Sequence, residues 1–217
     1  MLKKSKKYIL AAILIAASVI GGYGCMKSEW ENSENRNMST AGALEYMEQR
    51  YGEKFEFIQA HGLHYSKNSR KIFVSCESFP GKKINVEIIK DGKEIKYRDN
   101  YMEYYFEDQV NEFIVEIAKG YFDDVTFRIS ISASIMDSSI NLETPFDEYI
   151  HSKYCTIGGN IHVSELEDET VREFANELVR RGIHFSLTVR IPETKEWYEI
   201  WYFKNSTELE FYRRTLK

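Results

Sequence analysis

Three cysteines and five histidines are the residues of this 217-residue chain best suited to nucleophilic or metal chemistry. His151 precedes Cys155 by four residues and His162 follows it, so a thiol and two candidate bases fall in one stretch. A thiolate nucleophile also needs an oxyanion-binding group, and the amides of Gly158-Gly159 are placed to supply one. Nothing nearby fixes the base, however, and no family signature surrounds the cysteine. The glycine pair equally marks a bend or bulge. His61 and His64 are three apart, a spacing compatible with a metal, but a zinc site takes at least three protein ligands and no further Cys or acidic ligand sits close by. A loop following a strand accounts for them more simply, and no metal or cofactor is expected. Cys76 and Cys155 have two readings. Either they pair in an oxidising compartment, closing a loop of about 80 residues worth a few kcal/mol, or they remain two buried thiols in strands. Phosphate loops, dinucleotide fingerprints, the serine elbow, the zinc-protease helix and calcium loops are missing.

The third cysteine ends a segment of different composition. Lys3, Lys4, Lys6 and Lys7 precede an apolar run from Tyr8 to Ile20, and Gly21-Gly22-Tyr23-Gly24 leads into Cys25. A basic start and a short apolar run are what a secretory signal requires. About 13 apolar residues fall short of the roughly 20 that span a bilayer. The cysteine after a small residue resembles the lipobox of bacterial lipoproteins, with Gly24 fitting the pattern and Gly22 and Tyr23 departing from it. That resemblance implies a diacylglycerol thioether on Cys25, acyl chains of the palmitate class, and cleavage that makes Cys25 the mature N-terminus. The alternative is an ordinary secreted protein cut nearby. Each buried methylene contributes about 0.8 kcal/mol and one acyl chain holds only marginally, so two chains on one glycerol give stable attachment. The expected organisation is a signal peptide over residues 1–24, a flexible tether over 25–39 and a globular region over 40–217.

Charge narrows the partners. From Cys25 onward 34 acidic residues outnumber 25 basic ones, which disfavours nucleic acid and anionic headgroups. The 15 tyrosines and 13 phenylalanines suit core edges that need an outward hydroxyl, and they suit a partner-binding face equally well.

The elements follow from periodicity. Leu44, Met47 and Tyr51 on one face, with Gly52 beyond, predict a helix over 40–51. Strands are expected at 55–60, 72–76, 84–90 and 93–97, with a polar loop at 66–70 and a hairpin turn at Asp91-Gly92. One helix over 101–119 buries Phe106, Val110, Phe113, Ile114 and Ile117 and ends at Gly120. Unbroken alternation over 125–135 predicts a strand with one wet face. A strand at 154–163, a capping box at 164–167, a helix burying Val171, Phe174, Ala175, Leu178 and Val179, and a strand over 184–191 come next. Residues 196–203 read as a strand, and Leu209, Tyr212 and Leu216 suggest a short tail helix. The class is α+β: antiparallel sheets with helices packed on one face, or two similar α/β lobes over 40–138 and 139–217.

The segment Ala43–Ile58 (ALEYMEQRYGEKFEFI) resembles a block of small, uncharacterised lipoproteins of low-GC Gram-positive bacteria. With leader and lipobox the likeness covers under a third of the chain and brings no catalytic residues. The expected function is a lipid-anchored extracytoplasmic protein on the outer face of the cell membrane. It would act without catalysis, as a binding or interaction module for an unknown protein or envelope ligand. The alternative is a cell-envelope hydrolase using a Cys/His or carboxylate site.

Overall fold

The computed structural model describes residues 38–64, 68–130, 136, 138–192, 194–203, 206 and 208–215. The leader, Cys25 and the tether up to residue 37 lie outside the described residues. The chain forms two compact units, one through Arg98 and one from Asp99. Sequence patterning placed a division near residues 136–143 instead. It missed the boundary because the strand at 126–129 pairs into the second unit's sheet.

In the first unit, helix α1 (Thr40–Tyr51) begins where the Ser39 hydroxyl accepts the Gly42 N–H at 3.0 Å. It ends on Gly52, whose φ of 72° lets its N–H reach the Glu48 carbonyl at 2.9 Å. Ala43, Met47 and Tyr51 form its buried line, with Ala43 in the place expected for Leu44. Four strands follow: β1 (Phe55–His64), β2 (Ser69–Cys76), β3 (Ile84–Asp91) and β4 (Glu94–Asp99), paired in that order. Ile72, Val74, Ile84, Val86 and Ile88 are buried. The Tyr46 ring of α1 stacks on Tyr97 of β4 at 4.8 Å, which lays the helix over the sheet.

Three details of this unit differ from expectation. Arg70, assigned to a polar loop, lies in β2 at 1% exposure, its guanidinium donating to the Met38 carbonyl at 2.7 Å and the Thr40 hydroxyl at 3.2 Å. A buried guanidinium thus pins the point where the chain enters α1. The His61–His64 stretch continues β1 rather than forming a loop. The hairpin turn is Gly92-Lys93, one residue later than expected, with only Gly92 at positive φ (63°), as in a turn with glycine first.

In the second unit the expected long helix is two, α2 (Tyr101–Tyr105) and α3 (Glu107–Ala118), broken at Phe106. That ring stacks on Tyr149 of α4 (Phe146–Ile150) at 4.3 Å. Strands β5 (Thr126–Ile129), β6 (Ile157–His162), β7 (Phe185–Arg190), β8 (Glu196–Tyr202) and β9 (Glu210–Thr215) form one sheet in that order. Pairing is antiparallel except between β6 and β7, which the crossover helix α5 (Asp168–Arg180) makes parallel. The fold is therefore α+β, with one parallel pair. β5 and β7 flank β6 in opposite senses, so the similar helix–strand orders before them do not produce equivalent lobes.

Helix α5 buries Val171, Phe174, Ala175 and Leu178. Its end is a Schellman motif: Gly182 N–H reaches the Val179 carbonyl and Ile183 N–H the Leu178 carbonyl, with Gly182 at φ 71°. The capping box does not form. Glu167 is the N-cap and makes no side-chain cap bond, while the Ser164 hydroxyl donates to the Asp123 carbonyl. The glycine pair is not a bulge either, because register runs unbroken through β6. A Cβ on Gly159 would stand 2.4 Å from the Phe127 ring, so glycine makes the slot that ring occupies. The tail is strand β9 rather than a helix, and residues 131–135 of the long alternating stretch lie outside the described residues.

Candidate binding face and the buried cysteine

The side chains of the second sheet alternate between two faces. One carries Phe185, Leu187, Val189, Tyr198 and Ile200, all at most 1% exposed. α5 packs across it: the Tyr198 hydroxyl donates to Asp168, and Arg172 lies over the Phe211 ring at 3.9 Å. Burial and then the bond to Asp168 push the Tyr198 phenol up to about 12.

The other face is laid out in three rows by strand register. Thr126, His162, Arg190, Trp197 and Arg214 lie opposite one another from β5 to β9. Arg128, Asn160, Thr188, Glu199 and Tyr212 form the middle row. Gly158, Ser186, Trp201 and Glu210 form the third. No aliphatic side chain occurs among them. Both tryptophans are partly exposed, and Tyr212 is 40% exposed.

Contacts within this face hold its aromatic groups. Trp197 Nε1 donates to Glu199 Oε1 at 3.2 Å, and Arg214 Nε donates to Glu199 Oε2 at 3.0 Å. Those two donors, the indole first, hold the Glu199 carboxyl below its ordinary range. The Arg214 guanidinium lies 5.1 Å from the centre of the Tyr212 ring, and Tyr212 packs on Trp201 at 5.3 Å. Trp197, Glu199, Arg214, Tyr212 and Trp201 are thus one connected chain of contacts. Arg128 and Arg190 are exposed and make no ion pair or side-chain hydrogen bond among the described residues.

The expected nucleophile is elsewhere and differently placed. Cys155 is 5% exposed and borders a cavity of about 20 Å³, room for roughly one water, with Glu103, Tyr149 and Thr156 on its wall. Burial pushes the thiol up to about 12, while a hydrogen bond from the Tyr149 hydroxyl acts in the opposite direction. Tyr149 itself is pushed up, first by burial. His151 is turned away from this thiol in its bonding. Its Nδ1 lies 2.7 Å from the Asp147 carbonyl and its Nε2 2.9 Å from the Arg181 carbonyl, so both nitrogens are occupied. His162 sits on the open sheet face. The sequence therefore groups residues that the fold assigns to three separate roles.

Cys76 is half-buried and pushed up to about 11, mainly by burial. Cys76 and Cys155 are both free thiols, and the pairing expected as one alternative is not made. His61 packs its ring edge-on against Phe73 at 5.0 Å, and no group of three metal-ligating side chains occurs among the described residues. Cys25 lies outside the described residues, and no helix among them is long and apolar enough to cross a membrane.

This open face was missed in the sequence although part of its signal was present. In Glu196–Tyr202 (EWYEIWY), a period of two puts Trp197, Glu199 and Trp201 on one side. Their union with Tyr212, Arg214 and Arg190 depends on register, which pairs strands distant in sequence.

No family model matches the chain, and no curated protein matches it. Among solved structures it is similar to a DUF5037 family protein from Ruminococcus gnavus ATCC 29149, at 15% identity and a TM-score of 0.36, over 69% of this chain and 73% of that one. At that score the likeness bears neither on the topology derived above nor on function.

Proposed function

We propose that the protein is a lipid-anchored extracytoplasmic binding module, tethered through Cys25 and presenting the helix-free face of its second sheet to a partner in the cell envelope. The observation that carries the binding part is that face itself. Five strands align two tryptophans, an exposed tyrosine and two arginines that have no ion pair among the described residues, without a single aliphatic side chain. Such a surface is patterned for contact through rings, guanidinium forks and hydrogen bonds. The order of basic segment, apolar run, small residues and Cys25 supports the address. A thiol held near pKa 12 with no imidazole bonded to it is a poor nucleophile, which weighs against the hydrolase alternative.

Mass spectrometry of the protein from the membrane fraction tests the address. The expected species begins at Cys25 and carries diacylglycerol, and Cys25→Ala moves the protein to the soluble fraction. An uncut N-terminus, or a Cys25→Ala protein that partitions as before, would contradict the anchor.

A further inference from the structure

We infer that the helix-free face of the second sheet binds an anionic polysaccharide, its sugar rings laid on Trp197, Trp201 and Tyr212 and its carboxylates held by Arg190 and Arg128. The inference rests on the binding-module reading and adds the ligand class.

Geometry supplies the first argument. Trp197 and Trp201 are four residues apart on one strand, about 13 Å along it, and the five strands extend about 19 Å across. An open area of that size accommodates several linked rings and encloses none, which suits a polymer rather than a small molecule. The indole of Trp197 is fixed by Glu199, and Glu199 by Arg214, which in turn covers Tyr212. Rings already held in place lose little freedom when a ligand arrives. The apolar C–H faces of pyranose rings pack on aromatic faces. Short polar side chains between them, Asn160, Ser186 and Thr188, have no side-chain hydrogen bond among the described residues and are free to meet sugar hydroxyls.

Charge supplies the second. From Cys25 onward the chain carries 34 acidic and 25 basic residues, yet this face concentrates Arg128, Arg190 and Arg214 against Glu199 and Glu210. Glu199 is already matched by Arg214, and Arg128 and Arg190 have no ion-pair partner among the described residues. Unpaired guanidiniums recognise carboxylates through two parallel hydrogen bonds. Trp, Tyr and Arg also anchor protein interfaces, so an acidic protein segment is the competing occupant, and the poly-L-glutamate control separates it from a glycan.

The test is a titration of full-length protein in detergent, followed by tryptophan fluorescence. Two of the chain's three tryptophans, Trp197 and Trp201, lie on the face, so the signal reports on it directly. Polygalacturonate, alginate and hyaluronan are the probes, with neutral dextran and poly-L-glutamate as controls. The expected result is saturable binding to at least one of the three polyuronates, at least tenfold weaker binding to dextran and to poly-L-glutamate, and weakening as salt rises. Trp201→Ala and the double variant Arg128→Ala/Arg190→Ala should each lower affinity at least tenfold. The arginines are exposed, so the double variant keeps the test open if loss of the indole disturbs folding. Equal binding of poly-L-glutamate would overturn the glycan assignment while leaving a binding module in place. No response to any polyuronate, or unchanged affinity in the double arginine variant, would also overturn it. None of these outcomes alters the Cys25 measurement, so failure of the ligand class and failure of the anchor are separable.

Discussion

The two faces of the second sheet are built from alternate residues of the same strands, yet they obey opposite rules. Phe185, Leu187, Val189, Tyr198 and Ile200 are sealed under α5, while their neighbours Ser186, Thr188, Arg190, Trp197 and Trp201 stand on the other side. The covered face holds the unit together through removal of apolar surface from water. The open face contributes little to that and is free to be chosen for contact. Substitutions on one side should therefore change stability, and substitutions on the other should change binding.

The largest expected effect concerns reactivity on the sealed side. With its thiol raised from 9.0 to about 12, Cys155 should alkylate about a thousandfold more slowly than an exposed thiol at pH 8. Because the raised value delays thiolate formation, its rate in the native protein should keep climbing from pH 9 toward 12, where an ordinary thiol has levelled off. Iodoacetamide labelling resolved by peptide mass spectrometry measures this, and rapid labelling of Cys155 in folded protein at pH 8 would refute the burial.

Next is Leu187→Ala, which removes a fully buried side chain beneath α5 and should cost about 2–5 kcal/mol in urea unfolding. Gly159→Ala comes third. It drives a methyl into the Phe127 ring and the Arg128 carbonyl, and about 1–3 kcal/mol is expected from overpacking. Thermal midpoints should fall in that same order. Smallest is Thr188→Ala on the open face, expected within about 0.5 kcal/mol of the parent. A loss above 2 kcal/mol there would mean that the face is packed rather than presented.

Legibility in the sequence tracked how local each feature is. Helix α1 was found to the residue because the apolar spacing that ends at Tyr51 and the Gly52 stop directly after it are both local signals. The strand at 185–190 and the helix before it were equally plain, since Phe185, Leu187 and Val189 alternate against water on one side only. Strand β9 was misread as a helix because Phe211 to Thr215 has no apolar face to betray its period, and Leu209, Tyr212 and Leu216 also fit helical spacing. Arg70 read as loop because a charged residue is seldom buried, and its partners at Met38 and Thr40 are 30 residues or more away. The cysteine–histidine grouping misled for the opposite reason. Nearness in sequence placed His151 beside Cys155, but the turn after α4 aims its ring at two carbonyls.

The most direct test of the division between faces is hydroxyl-radical footprinting of the full-length protein with and without the tightest-binding polyuronate. Protection confined to Trp197, Trp201 and Tyr212, with the exposed Tyr105 of the same unit unchanged, is the predicted result. Protection centred on Tyr105, or none at the two tryptophans when polymer is bound, would contradict it.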